Sequence, residues 1–69
     1  MTTPTDEDLV LGFRPEATME SQPGHRPGAT KYRVAYVPVP GSRVERIGWV
    51  HTEAMAWRAA CVRMGLRSA

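Results

Sequence analysis

The sequence predicts an α+β fold: a small antiparallel sheet, built on one β-hairpin and packed against a single C-terminal α-helix, with an irregular N-terminal arm before them. Three observations predict it. KYRVAYV and RVERIGWV are rich in Val, Ile and aromatic residues and flank PVPGS, a turn signal. TEAMAWRAACVRMG opens on a capping residue and closes on glycine, as a helix does. Residues 1–30 hold four of the six prolines, and SQPGHRPGAT shows no apolar period, so the chain divides into an arm, residues 1–30, and a ββα domain, residues 31–69.

Within the arm only LVLGF, residues 9–13, has side chains worth burying. Its length suits a third strand added to the hairpin, or a linear motif that docks on a partner. In the hairpin, Pro40-Gly41 suits the central positions of a type II turn, with Val39 and Ser42 outside them. Val37 then faces Val44, and the side chains separate into two faces. Tyr32, Val34, Tyr36, Ile47 and Trp49 form a core face, with Glu45 near the turn. Arg33, Ala35, Val37, Val44, Arg46 and Gly48 form a face that is partly wet. A register slipped by one residue sets Arg46 beside Val34, which burial disfavours.

Gly48-Trp49-Val50 ends the second strand and His51 turns the chain. Thr52 then supplies the oxygen that caps a helix starting at Glu53, whose charge suits the positive helix end. Met55 stands where a reciprocal capping box needs an acid or amide. The helix is expected to end near Met64, with Gly65 left-handed and Leu66 folded back on Cys61. Two apolar stripes run along it: Ala54, Trp57, Cys61 and Met64, then Met55, Ala59, Val62 and Leu66. A hairpin needs only one, so the second is expected to meet a third strand formed by residues 9–13 or a second protein chain; a homodimer satisfies it with no new sequence, and a homo-oligomer is expected.

Sixty-nine residues make one small domain, burying only about 60% of the surface of the unfolded chain. Cys61 has no second cysteine to pair with and reads as a small buried hydrophobe. His25 and His51 are too few ligands for a closed zinc site, so no metal or other cofactor is expected. No apolar run approaches the ~18 residues of a membrane span, and MTTPTDEDLV does not read as a signal peptide, so a cytoplasmic protein without membrane contact is expected. The sequence shows neither a phosphate-cradling glycine loop nor a nucleophile with its base, and catalytic residues are expected to be none. Net charge is +2, but residues 31–69 hold seven of the nine basic side chains against Glu45 and Glu53 alone.

KYRVAYVPVPGSRVERIGWVHTEAMAWRAACVRMG, with its Tyr/Arg alternation, Pro/Gly turn, arginine-bearing strand and threonine-capped helix, resembles the arm-type DNA-binding domains of tyrosine integrases, which belong with the plant AP2-like domains. The resemblance implies a three-stranded sheet whose helix-free face enters the major groove, with the first strand sought at residues 9–13. It implies Arg33 and Arg46 facing the groove and Lys31 and Arg43 near phosphates, in a free-standing module of the kind phages and mobile elements carry. Arginine suits both tasks, since it bonds guanine bidentately and neutralises phosphate. Two binding modes stay open: duplex DNA on this face, or a protein partner engaged, as by an adaptor or inhibitor, through Leu9, Leu11, Phe13, Met55, Val62 and Leu66.

Overall fold

The computed structural model describes residues 2–68, which form five elements: α1 (Asp6–Phe13), β1 (Thr18–Pro23), β2 (Thr30–Tyr36), β3 (Glu45–Arg46) and α2 (Glu53–Arg63). The strands make one antiparallel sheet in the order β1-β2-β3, so the α+β class holds. Among the described residues no helix is long and apolar enough to cross a membrane.

Residues 9–13 lie in a helix, which corrects the expectation of a strand there. The reason is local. Thr5 Oγ1 accepts the Asp8 N–H at 3.1 Å while Asp8 Oδ2 accepts the Thr5 N–H at 3.2 Å, a reciprocal capping box. Asp6, Glu7 and Asp8 also place negative charge at the positive end of the helix. The third strand is instead Thr18–Pro23, within the arm expected to be irregular. It pairs along the whole of its length with β2, from Thr18↔Ala35 to Pro23↔Thr30. As an edge strand it accommodates a proline at its last position, where the missing N–H breaks no central ladder.

The hairpin register is the expected one near the turn: Tyr36↔Glu45 and Ala35↔Arg46. Ser42 N–H donates to Val39 O at 3.0 Å and Gly41 has φ +82°, the backbone that position of a type II turn requires. Farther along, the register changes. Ile47 N–H donates to Val34 O at 3.1 Å, yet Tyr32 exchanges both backbone bonds with Val50 at 2.8 Å. Gly48 and Trp49 therefore stand together opposite Arg33, a β-bulge that stops regular β3 after Arg46. This corrects the face of Trp49. The bulge turns it to the arginine side and leaves Val50, with Tyr32, packed on the core.

Val10, Val34, Tyr36, Ala56, Ala60 and Cys61 are the centre of the core. Helix α2 is capped as its sequence indicates, Thr52 Oγ1 accepting Met55 N–H at 3.1 Å. It closes with Gly65 at φ +77° and Leu66 N–H on Cys61 O at 2.8 Å. Its buried line is Ala56, Ala60 and Cys61, a different line from either expected stripe, and Ala54 is exposed. The cause is that α2 packs against both β2 and α1, whose fully buried Val10 joins the same core. The small alanines permit that double approach. Helix α1, which holds residues 9–13, packs on α2, while Met55 of the second stripe stays 47% exposed.

Polar ties fix these layers. The Cys61 thiol donates to Asp6 O at 3.3 Å and Arg67 pairs with the Asp6 carboxylate. Arg14 Nη2 donates to Pro38 O at 2.6 Å, joining the end of α1 to the β2–β3 connection. Tyr36 donates its hydroxyl hydrogen to Glu45, whose carboxylate also pairs with Arg63 of α2 at 2.7 Å. The Arg63 hydrogen bonds, followed by that from Tyr36, hold the Glu45 carboxyl at about 2. Burial, then the hydrogen bond to Glu45, pushes the Tyr36 hydroxyl up.

Candidate nucleic-acid interface

Strand alternation sends Val34 and Tyr36 into the core and Lys31, Arg33 and Ala35 to the opposite face. Pairing sets Gln22 beside Lys31, Glu20 beside Arg33, and both Thr18 and Arg46 beside Ala35. Three of the four sequence-predicted DNA-binding residues, Lys31, Arg33 and Arg46, therefore share the helix-free face. Arg43 stands outside this group, exposed in the β2–β3 connection.

Two residues that the sequence reading did not select complete the site. Trp49 stacks under the Arg33 guanidinium at 4.1 Å from its ring centroid, with Lys31 Nζ at 5.3 Å. An isolated glycine inside a strand pattern, here Gly48, is the bulge signal that points to it. Glu20 accepts from Arg33 Nε at 2.7 Å and lies 3.4 Å from Arg46 Nε. Its signal is the polar, proline-ended segment TMESQP, which reads as an edge strand once a partner is sought for β2. The Arg33 hydrogen bond, with the charges of Arg33 and Arg46, holds the Glu20 carboxyl below its ordinary value.

The face thus carries three cations, one carboxylate and an indole. Arg46 keeps half of its side chain exposed, while Arg33 is held more firmly between Glu20 and Trp49. Acids gather elsewhere: Asp6, Glu7 and Glu53 line a cleft between the N-terminal ends of the two helices.

The partner-binding set is not brought together. Leu9, Leu11 and Leu66 pack against the core, Val62 is half-buried, and Phe13 and Met55 are exposed near the end of one helix and the start of the other. Among the described residues no group of three or more His, Cys, Asp or Glu side chains is placed to hold a metal ion.

Fold and face together define a small two-layer α+β protein with a cationic, tryptophan-bearing sheet surface. Compared with protein-family models, curated proteins and solved structures, the chain matches none.

Proposed function

We propose that this chain is a non-catalytic binding protein that engages duplex DNA through the sheet face opposite its helices. The observation that carries the reading is the grouping of Lys31, Arg33, Arg46 and Trp49 on one open surface, against Glu20 alone. Cations so placed neutralise phosphates and release counterions, the dominant source of affinity for a duplex. The Trp49 ring holds the Arg33 fork flat, and a pre-oriented guanidinium loses less freedom when it bonds phosphate or guanine. The resemblance to arm-type domains supports the same use of the same face, with β1 at residues 18–23 serving as the first strand.

Salt dependence tests this. Anisotropy titrations of a labelled random duplex should give a log–log plot of affinity against salt with negative slope, and Arg46→Ala should flatten it by about one. A salt-independent affinity, or a slope indifferent to Arg46, contradicts the reading.

A protein partner is the second reading, favoured by a groove in which exposed Phe13 joins Pro15, Val37 and Pro40. Under it, Phe13→Asp abolishes partner capture and leaves duplex affinity unchanged.

A further inference from the structure

The connection from β1 to β2 is pinned. Gly24 N–H donates to Ala29 O at 2.9 Å and Ala29 N–H donates to Arg26 O at 3.0 Å, while Gly28 takes a left-handed φ of +79°. The loop therefore presents His25 and Arg26 from a backbone closed on itself. The bulge brings a third segment alongside: Val50 pairs with Tyr32, so the next residue, His51, lies by the start of β2.

These segments line an open cavity of about 520 Å³ whose polar side chains are His25, Arg26, Thr30, Lys31 and His51. Its size falls within the roughly 300–1,000 Å³ of small-molecule sites, enough for a phosphate with its flanking sugar. The chemistry of the lining is one-sided. Arg26 and Lys31 are cations that can only donate hydrogen bonds, each imidazole has an N–H, Thr30 has a hydroxyl, and no carboxylate lines the cavity. Polar lining residues that supply donors and positive charge without an acid suit an oxyanion, and a tetrahedral one offers several acceptors to donors contributed by three segments.

We propose that this cavity is a phosphate site, and that in the complex it takes a backbone phosphate of the duplex lying on Arg33 and Arg46. Lys31 links the two, since it lines the cavity and also lies over Trp49, on which Arg33 stacks. The duplex half of the proposal rests on the sheet-face reading, whereas the phosphate site stands without it.

The test uses the full chain and two probes. Inorganic phosphate is titrated at constant ionic strength while the imidazole C–H resonances of His25 and His51 are followed by NMR. Both should shift and saturate, Arg26→Gln should weaken binding several-fold, and Arg46→Ala should leave it unchanged. In parallel, Arg26→Gln should lower the salt slope of duplex binding by about one. Absence of a saturable phosphate shift overturns the site, whatever the duplex does. Saturation by phosphate with a duplex slope indifferent to Arg26 overturns the shared footprint. A wild-type chain that binds phosphate and no duplex sinks the sheet-face reading and leaves the phosphate site standing.

Discussion

The Arg33 guanidinium lies 4.1 Å from the centroid of the Trp49 ring and donates through Nε to Glu20 at 2.7 Å. One cation is thus held from below by an indole and from the side by a carboxylate. The indole comes from the bulged segment after β3 and the carboxylate from β1, so both outer parts of the sheet position a side chain of the middle strand. That arrangement fixes the fork before a ligand arrives, and it sets a negative charge where a phosphate would sit.

Glu20 therefore competes with the proposed ligand. Replacing Glu20 with Gln keeps the side-chain shape and removes the charge, at a site where exposed ion pairs are worth about 0.2–1 kcal/mol. Duplex affinity should rise by roughly two- to fivefold in anisotropy titrations at low salt. An unchanged or lower affinity contradicts a phosphate-facing role for Arg33 and Arg46.

Docking of α1 is tested by comparing two of its residues. Val10 is fully buried and Phe13 is 46% exposed. Val10→Ala should cost about 1–2 kcal/mol in urea unfolding, through lost burial and the cavity left behind, whereas Phe13→Ala should stay within about 0.5 kcal/mol. Equal costs would mean that α1 does not pack on α2 as described.

Acid should loosen the junction of sheet and α2. Glu45 is held at about 2 against an ordinary 4.5, first by its hydrogen bonds from Arg63 and then by that from Tyr36. A carboxyl depressed in the folded state stabilises it fully above the ordinary value. That contribution is lost as pH falls through the window from about 4.5 to about 2. The urea midpoint should fall between about pH 6 and about pH 3, and fall less in Glu45→Gln. Parallel pH profiles for the two proteins would remove Glu45 from the junction.

Where the sequence was legible, a single residue type dictated a local geometry. Gly41 and Gly65 each mark a backbone with positive φ, and Thr52 supplies the cap that begins α2. The face carrying Arg33 and Arg46 followed from the turn at Pro40-Gly41, because strand alternation propagates from it. Two features are harder to read, the first because its deciding signal lies outside the apolar run and the second because it needs tertiary context. LVLGF is a short continuous apolar run, a pattern that fits strand and helix alike, and only the Thr5–Asp8 capping box decides for helix. TMESQP has no apolar stripe of its own, and it becomes a strand because β2 needs a partner on that edge. Glu20, the acid in the candidate interface, was hidden with it. Unbroken alternation assigns Trp49 to the core, but one extra residue, at Gly48-Trp49, reverses it beyond Ile47.

The account is tested most directly by following the indole N–H of Trp49 and the Nε–H groups of Arg33 and Arg46 in nitrogen-15 NMR spectra as a random duplex is added. These resonances should shift progressively and together, while the amides of Phe13, Met55 and Val62 stay in place. Shifts confined to the helices, with the Trp49 and arginine signals unmoved, would contradict the proposal that the sheet face is the binding surface.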